Sequence, residues 1–390
     1  MSRVLIVGGA AAGLSTAEAL RRVNFDGEVV VAGEELERAY DRPPLSKQVL
    51  SGEWDESRVH LFPDARLQRL NADVRLGARA TAADLDRRSV IFDDGSSLTY
   101  DDLVVATGVR PRQLPNTPDS GVFSLRTLED SRRIRAALLD HRELLIIGAG
   151  FLGLEVAATA SKLGANVTVI EPQMAPLSDR LGAYTADRLI NLHREAGIDI
   201  RTGVGFDSFI FEDEGGRSFA RGIRTTGGDT IESSSILVAI GCVPNTEWLQ
   251  ESAIDLSNGV VCDEYCRAAP NVWAAGDVAQ WHHPGIDRSV RLEHRMNASE
   301  QAAVVAANIV GETRRFTPVP FFWTDHYHAK IQLAGVIPAA SVERTEYEDG
   351  DSFVRTFWAD DRLMGVVGWN AAKAMMPFRQ QLDLSEPATI

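Results

Sequence analysis

Three glycines near the middle of the chain have the spacing of a dinucleotide-binding turn. Gly148, Gly150 and Gly153 follow a short apolar run and open a helical pattern. A strand, a Gly-rich turn and a helix expose backbone N–H groups at the helix N-terminus, where a pyrophosphate can bind. The next strand ends at Glu171, where an acid can bind a ribose 2′-OH. The two residues after Glu171 are Pro and Gln rather than Arg or Lys, which favours NADH over NADPH.

The N-terminus carries a second turn of the same kind. A short buried strand precedes Gly8 and Gly13, and Ala10 occupies the middle position, where glycine is usual. A methyl group there lets the backbone approach a pyrophosphate less closely, so the motif depends on its context. The next strand ends just before Glu34, which is the predicted ribose acid. Glu35 is the alternative if the register differs by one residue.

A repeat becomes visible further along the chain. About 90 to 100 residues after each glycine turn, an apolar strand ends in a glycine and is followed by a proline. The first copy contains Thr107, Gly108 and Pro111, and the second contains Gly241 and Pro244. Solenoid repeats have periods of about 20 to 50 residues, so this longer period indicates two duplicated nucleotide-binding domains.

Two other segments present charged side chains in defined positions. Asp277 follows a strand of small residues, where a carboxylate can accept hydrogen bonds from polyol hydroxyls; the alternative is an Asp that caps a following helix. The prolines of the segment 42–47 remove two N–H donors and predict a rigid turn that presents Arg42 and Lys47, with a helix from Ser46 onward. The alternative is a proline loop with a solvated lysine.

Length and composition limit the function classes. A chain of 390 residues can hold two or three domains, and 44% hydrophobic residues is ordinary for a globular protein. The net charge of -15 argues against nonspecific binding to nucleic acid or anionic membranes. No apolar run approaches the roughly 20 residues that cross a bilayer, so we expect a cytoplasmic protein. The spacing of Cys262 and Cys266 fits neither a CxxC motif nor a zinc site.

Taken together, these motifs resemble the flavoprotein reductases with two dinucleotide sites. Within them the chain is similar to the NADH-dependent ferredoxin reductases of the putidaredoxin reductase type. The resemblance covers nearly the whole length, including the segments 126–130, 150–155 and 322–325. It implies an α/β fold with two Rossmann-like dinucleotide-binding domains of the glutathione-reductase-like type and a smaller C-terminal α+β domain. The implied domains are an FAD-binding domain (1–110 and 243–312), an NADH-binding domain (111–242) and the C-terminal domain (313–390).

The resemblance also implies site residues, carried over position by position. Lys47 and Glu155 would be catalytic: Lys47 would stabilise negative charge on the reduced flavin, and Glu155 would lie near the nicotinamide and face Lys47 across the flavin. Glu155 would also hold Lys47 and the nicotinamide in place. The residues implied at the FAD site are Gly8, Ala10, Ala12, Gly13, Glu34, Arg42, Lys47, Ala80, Thr107, Gly108, Arg126, Asp277, Glu293, His294, Arg295 and Trp323. Those implied at the NADH site are Gly148, Gly150, Gly153, Glu155, Glu171 and Gly241. No metal ligand is implied.

Two features separate this chain from its neighbours. Arg295 occupies a position that is usually apolar in the family, so its effect on the flavin is open. The disulfide-reductase relatives need two cysteines on the segment that faces the flavin, and residues 42–50 contain none. The single-cysteine oxidase, peroxidase and coenzyme A disulfide reductase branches are disfavoured because they require a thiol as well.

The implied reaction passes hydride from NADH to FAD and then single electrons to a [2Fe–2S] ferredoxin. That ferredoxin would feed a cytochrome P450 or a Rieske-type dioxygenase. An acidic ferredoxin requires a local basic face on the reductase. Candidates for this face are Arg288, Arg291, Arg295 and Lys330, the alternative being internal pairs such as Arg291 with Glu293.

Two alternative functions remain. One is a rubredoxin or quinone-type reductase, and the other is a signalling flavoprotein of the apoptosis-inducing-factor type.

Overall fold

The computed structural model describes residues 2–385. Residue 1 and residues 386–390, which belong to the first and the last predicted domain, lie outside the described residues. The helices are α1 (Ala11–Arg22), α2 (Gln48–Ser51), α3 (Asp64–Arg69), α4 (Leu128–His141), α5 (Phe151–Lys162), α6 (Ser178–Leu181), α7 (Ala183–Glu195), α8 (Arg295–Ile309) and α9 (Ala372–Gln381). The strands are β1 (Arg3–Val7), β2 (Glu28–Gly33), β3 (Asp73–Leu76), β4 (Ala80–Asp84), β5 (Ser89–Phe92), β6 (Ser97–Thr99), β7 (Asp102–Val105), β8 (Val109–Pro111), β9 (Val122–Phe123), β10 (Glu143–Ile147), β11 (Asn166–Glu171), β12 (Asp199–Thr202), β13 (Phe206–Glu214), β14 (Arg217–Thr225), β15 (Thr230–Glu232), β16 (Ile236–Val238), β17 (Cys242–Pro244), β18 (Val260–Cys262), β19 (Arg267–Ala269), β20 (Val272–Ala274), β21 (Ala279–His283), β22 (Arg288–Val290), β23 (Phe321–His326), β24 (Ala329–Gly335), β25 (Val342–Asp349), β26 (Ser352–Ala359) and β27 (Arg362–Trp369).

The first large sheet combines the N-terminal strands with strands from a much later segment. Its order is β19-β20-β7-β1-β2-β3, and all neighbours are parallel except β19 and β20. β1 is a continuous apolar run because both faces of a parallel sheet are covered. The helices α1 and α8 pack against each other through small residues, with Ser15 Oγ 3.2 Å from Ser299 Oγ. β1 therefore leads directly into the first glycine turn and α1.

The second large sheet repeats this order. Its strands run β12-β11-β10-β16-β9, all parallel, so β10 lies between β11 and β16 as β1 lies between β2 and β7. In both sheets the strand order reverses beside the strand that enters the glycine turn. Ligands of open parallel sheets bind at this reversal, outside the carboxyl ends of the strands.

The two segments that connect the large sheets pair with each other. β8 and β17 form a two-stranded antiparallel ribbon in which Val243 lies opposite Arg110. Both segments belong to the sequence repeat described above. The predicted domain boundaries at 110/111 and 242/243 fall inside this ribbon.

The C-terminal region forms a separate antiparallel sheet. Its order is β23-β24-β27-β26-β25, and α9 packs against β27. Trp369 and Phe357 of this sheet are buried in one cluster that also contains residues of α5 and α7. The sheet is thereby packed against the helices that follow the second glycine turn.

Some local expectations were wrong in detail. Helical structure after Arg42 begins earlier than Ser46, as a 3₁₀ turn over Pro43–Ser46, because the φ angle of proline suits the first turn of a helix. α2 then begins at Gln48. The capping alternative for Asp277 is also wrong, because β21 follows that residue and no helix starts there.

Cys262 and Cys266 are free and buried, and burial raises the pKa of the Cys266 thiol to about 12. A thiol in such an environment is unreactive.

Among residues 2–385, no helix is long and apolar enough to span a membrane.

Candidate functional site

Both glycine turns have the same backbone requirements. Gly8 and Gly148 have φ angles of 122° and 107°, which favour glycine, and a Cβ atom on them would lie 2.1 Å and 2.5 Å from the carbonyl oxygens of Ala106 and Ala239. On the first turn of each helix, a Cβ on Gly13 would lie 1.8 Å from the Gly8 oxygen. The same atom on Gly153 would lie 2.3 Å from the Gly148 oxygen. These four positions therefore require glycine.

The middle position of each turn is different. Gly150 has a φ angle of −73°, and a Cβ atom built there meets no heavy atom within 4 Å. Ala10 occupies the matching position with a φ angle of −99°. Alanine is thus accepted by the backbone of the first turn without strain. Neither residue caps its helix with a side chain, so the first N–H groups of α1 and α5 point toward the space in front of the turn.

Glu171 lies directly against the second glycine turn. The backbone N–H of Ala149 donates to Glu171 Oε2 at 2.9 Å, and that of Gln173 donates to Oε1 at 2.9 Å. At the first turn, Glu34 follows β2 and lies 3.7 Å from Arg79, with most of its side chain exposed. Glu35, the alternative, is instead committed to Arg42 at 2.5 Å and to the hydroxyl of Tyr40. The exposed Glu34 is the freer of the two acids.

An open cleft of about 240 Å³ lies in front of the first turn and reaches α5. Its walls come from the carboxyl ends of strands in the first large sheet, from α5 and α8, and from the proline-rich turn. The residues that line it are Ala10, Ala11, Ala12, Tyr40, Asp41, Arg42, Pro43, Leu45, Ser46, Ala106, Gly108, Leu125, Arg126, Leu152, Glu155, Gly276, Asp277, Glu293, Arg295 and Ala298.

Arg126 and Asp277 form an ion pair in this cleft, with Arg126 Nη2 3.3 Å from Asp277 Oδ2. Burial raises the pKa of Asp277, while Arg126 opposes the change. Burial and then repulsion from Arg42 lower the pKa of Arg126. For Arg42, burial works to lower the pKa but Glu35 outweighs it, so the pKa is raised. The cleft therefore holds two half-buried guanidinium groups, of which Arg126 pairs with Asp277 and Arg42 pairs with Glu35.

The position of Arg126 follows from its local sequence. Thr127 and Asp130 form a capping box at the start of α4, in which Asp130 Oδ2 also accepts from the Arg126 N–H at 2.9 Å. Arg42 Nη1 donates to the Arg126 carbonyl at 2.5 Å. The segment 126–130 therefore holds the Arg126 guanidinium group at the cleft.

Lys47 and Glu155 meet directly. Lys47 Nζ lies 2.7 Å from Glu155 Oε2, and Ser46 Oγ donates to the same oxygen at 2.5 Å. Glu155 is only 8% exposed. This direct contact agrees with the expectation that Glu155 holds Lys47 in place, but it leaves no room for a flavin ring between the two side chains, as the other expectation required. The 3₁₀ turn and α5 bring them together.

The residues expected beside the flavin ring lie at the other side of the cleft. Glu293 pairs with Arg291 at 2.7 Å and accepts from Cys242 Sγ at 2.8 Å. Arg295 pairs with Asp41 at 2.5 Å. Burial lowers the pKa of His294 to about 4, so this ring is neutral at pH 7. The unusual Arg295 is thus neutralised by Asp41, which sequence reasoning did not identify.

Four further predicted residues lie outside this cleft lining. Ala80 begins β4, next to the Arg79 that pairs with Glu34. Thr107 Oγ1 donates to the Asn245 carbonyl at 2.7 Å, so its side chain joins the two connecting segments. Gly241 has a φ angle of 92° at the end of the second connection. Trp323 lies on β23 with its ring 6.3 Å from that of Phe321.

The predicted basic face is only partly present. Arg291 is 11% exposed along its side chain and is paired with Glu293, as the alternative interpretation expected. Arg295 is paired with Asp41. Arg288 and Lys330 are exposed.

Sequence reasoning missed several residues that contact the site. Thr324 Oγ1 donates to Glu155 Oε1 at 2.7 Å, and Tyr40 contacts both Glu35 and Arg42. His326 follows Thr324 on the same face of β23 and contacts its hydroxyl. The alternation of side chains along a strand could have placed Thr324 and His326 together, but nothing in the sequence shows that they face α5.

The geometry fits two dinucleotides. Each turn has two positions at which a Cβ atom would clash, and each leads to a helix start without a side-chain cap. The two turns can therefore each bind a pyrophosphate. FAD would be held by the first turn, Glu34, Arg42, Arg126 and Asp277. NADH would be held by the second turn and Glu171.

Comparisons with known proteins agree with this geometry. Residues 2–302 match the family described as pyridine nucleotide-disulphide oxidoreductase, and residues 321–389 match the one described as reductase C-terminal. Rhodocoxin reductase of Rhodococcus erythropolis is 34% identical over 393 residues, which cover 99% of this chain and 90% of that protein. The ferredoxin–NAD(+) reductase component of the anthranilate 1,2-dioxygenase system of Burkholderia cepacia is 35% identical over 374 residues, or 95% of this chain and 91% of that protein.

A solved structure extends the likeness to three dimensions. The covalent putidaredoxin reductase–putidaredoxin complex contains a chain with a TM-score of 0.91 and 31% identity, covering 98% of this chain and 94% of that one. The predicted family, fold class and pair of cofactors are thereby confirmed. The chain belongs to the pyridine nucleotide-disulphide oxidoreductase family and, within it, to the ferredoxin reductases of the putidaredoxin reductase type.

Proposed function

We propose that this protein transfers electrons from NADH to a [2Fe–2S] ferredoxin that serves a cytochrome P450 or a Rieske-type oxygenase, in the cytoplasm. The observation that carries the proposal is the Lys47–Glu155 ion pair at the meeting point of the proline-rich turn, α5 and the C-terminal sheet. No cysteine is among the residues that line the cleft within residues 2–385. This argues against dithiol chemistry, which needs a thiol beside the flavin.

Each domain has a separate binding role in this proposal. Residues 1–110 and 243–312 would bind FAD, residues 111–242 would bind NADH, and residues 313–390 would cover the flavin and help to dock the ferredoxin. Bound FAD supplies the chemistry that links a two-electron donor to a one-electron acceptor. The protein supplies binding, orientation and charge.

The charged side chains have separate roles. Arg126 and Arg42 would hold anionic or carbonyl groups of the cofactor, and Asp277 would accept hydrogen bonds from its hydroxyls. Lys47 would place its ammonium group beside the cleft, oriented by its hydrogen bond to Glu155. Trp323 would lie close to the path by which electrons leave, since it is on the strand that carries Thr324.

The function can be tested with defined acceptors. The FAD-loaded protein is mixed with NADH and cytochrome c, alone and with a [2Fe–2S] ferredoxin, a rubredoxin or a soluble quinone. We expect cytochrome c reduction to depend on the ferredoxin and to be faster with NADH than with NADPH. Equal or faster turnover with rubredoxin or quinone would mean that one of these, and not ferredoxin, is the acceptor. Negligible turnover with all three would favour a signalling role.

Docking of the acceptor can be tested through charge. Lys330 is exposed on β24, in the sheet that carries Trp323. Lys330→Glu should raise the KM for an acidic ferredoxin by about 3- to 10-fold at low salt, with less effect at high salt, because opposite charges steer association. Lys373→Glu, on the exposed side of α9, makes the same charge change elsewhere in that domain. Ferredoxin reduction that does not depend on ionic strength would contradict this part of the proposal.

A further inference from the structure

A chain of buried polar side chains leads away from Glu155 into the C-terminal sheet. Thr324 Oγ1 donates to Glu155 Oε1 at 2.7 Å and lies 2.8 Å from His326 Nε2. His326 Nδ1 lies 3.2 Å from His193 Nε2. Thr324, His326 and His193 are all 0% exposed. The chain connects α5, β23 and α7, and its last atom, His193 Nδ1, has no hydrogen-bond partner.

The number of available protons gives this chain a direction. A carboxylate only accepts hydrogen bonds, so the single hydroxyl proton of Thr324 is used in the bond to Glu155. Thr324 Oγ1 must then accept from His326 Nε2–H. A neutral His326 has no second proton, so its Nδ1 accepts from His193 Nε2–H. Every donor therefore points toward Glu155.

The surroundings keep both histidines neutral. Burial lowers the pKa of His326 to about 3, with further lowering by the charges of Lys47 and Lys162. The Leu154 carbonyl acts in the opposite direction but does not reverse the shift. Burial and then His326 lower the pKa of His193 to about 3. The ring of Tyr327 lies 5.3 Å from that of His193 and encloses it further.

We propose that His193, His326 and Thr324 are positioning residues that orient the Glu155 carboxylate through a one-directional chain of hydrogen bonds. The inference rests on the proposed function, because it concerns the side chain that holds Lys47. With Oε1 occupied by Thr324, Glu155 presents Oε2 to Lys47 and Ser46. The orientation of the ion pair is thus determined by α7 and β23, which lie outside the cleft lining.

The direction of the chain can be observed without measuring turnover. The full FAD-loaded protein is labelled with ¹⁵N-histidine, and the ring signals of His193 and His326 are identified among the 8 histidines with His193→Phe and His326→Gln. We expect both rings to carry their proton on Nε2 between pH 6 and 8. In Thr324→Val, the Nε2–H of His326 loses its acceptor, so its signal should shift. A proton on Nδ1 of His326 in the wild type would overturn the proposal.

The effect on Glu155 is tested with a matched pair of variants. Thr324→Val removes the hydroxyl at constant shape, and Thr324→Ser retains it. A hydrogen bond to a charged group predicts about a 10-fold slower reduction of the bound flavin at saturating NADH in Thr324→Val, with an NADH Kd within about 2-fold. Thr324→Ser should stay within about 3-fold of the wild-type rate, and His193→Phe should slow it about 2- to 3-fold.

The outcomes separate this inference from the proposed function. A wild-type rate in Thr324→Val would overturn the positioning role, as would equal losses in Thr324→Val and Thr324→Ser. A wild type that shows the expected tautomers and is reduced by NADH, but passes no electrons to any ferredoxin, would overturn the function and leave the chain intact. FAD content and the thermal midpoint, measured for each variant, assign a loss of rate to misfolding where both fall.

Discussion

At the scale of single residues, the Lys47–Glu155 pair carries the clearest prediction. Lys47→Ala removes the positive charge beside the cleft and leaves a buried carboxylate without its cation. We expect the reduction of bound flavin by NADH to slow by about 10- to 100-fold in stopped-flow absorbance, because a preorganised charge is lost where negative charge develops. Lys373→Ala, an exposed cation on α9, is the matched control. An unchanged rate in Lys47→Ala would remove this residue from the mechanism.

Glu171 carries a prediction about the second nucleotide. Its carboxylate is held against the glycine turn by the Ala149 and Gln173 N–H groups. Glu171→Gln removes the charge that would bind the ribose hydroxyls, so we expect the Kd for NADH to rise about 5- to 20-fold while the Kd for NADPH rises less. Fluorescence titration of the FAD-loaded protein measures both. A parallel loss for the two nucleotides would mean that Glu171 only supports the turn.

Which residues could be predicted depends on the origin of their constraint. The glycines were recognisable because their requirement is local: Gly8 and Gly148 have φ angles that other residues rarely adopt. That Glu155 holds Lys47 was implied by the family resemblance alone, since the separation of these two residues depends on how the 3₁₀ turn packs against α5. His193 had no motif at all, and it contacts His326 only because α7 lies under the C-terminal sheet.

At the scale of elements, the second glycine turn predicts different results for two similar substitutions. In Gly153→Ala the new methyl group would lie 2.3 Å from the Gly148 oxygen, so the start of α5 must shift. Overpacking of about 1–3 kcal/mol predicts a thermal midpoint lower by about 1–4 °C for a chain of 390 residues. Gly150→Ala places its methyl group in open space, so only the weaker N-cap preference of alanine remains, and the midpoint should fall by no more than about 1 °C.

The same pair of variants tests the meaning of Ala10. If alanine is tolerated at the middle position, Gly150→Ala should raise the KM for NADH by less than about 3-fold, and Ala10→Gly should leave FAD content unchanged. A large loss of NADH affinity in a stable Gly150→Ala protein would show that the two turns contact their pyrophosphates at different distances. Calorimetry and steady-state kinetics separate these outcomes.

Strand and helix assignment from the sequence succeeded where apolar runs and glycines coincide. The repeat around Gly108 and Gly241 indicated a duplication, and both large sheets have the same strand order. What the repeat could not show is that its two copies pair with each other as β8 and β17. Pairing between segments about 130 residues apart is a tertiary feature, and short strands carry little signal for their partners.

At the scale of the whole molecule, α7 and the C-terminal sheet form a charged and aromatic interface. Arg188 of α7 pairs with Asp351 at 2.5 Å, and the Arg355 guanidinium lies 3.8 Å from the ring centroid of Tyr184. The contact between the buried rings of His193 and His326 joins the same helix to the same sheet. The interface therefore carries both an ionic contact that is strengthened at neutral pH and two rings that must stay neutral.

This interface predicts a loss of stability in mild acid. The folded-state pKa of His193 and of His326 is about 3, below the ordinary value of 6.5. Between these values the unfolded chain binds the additional protons, so stability is complete above about pH 6.5 and falls as the pH decreases toward 3. Each ring contributes about 1.4 kcal/mol per pH unit in this window. Burial lowers the pKa of His294 and His283 too, so these rings add to the same trend.

Thermal midpoints of the FAD-loaded protein at pH 7.5, 6.5, 5.5 and 5.0 measure this dependence. His326→Gln removes one ring that cannot be protonated in the fold, so its midpoint should be lower than that of the wild type at pH 7.5 but should fall less steeply toward pH 5.0. His141→Gln, at an exposed histidine near the end of α4, should retain the wild-type slope. Parallel curves for the wild type and His326→Gln would contradict the neutral state of this ring, and with it the direction of the chain that ends on Glu155.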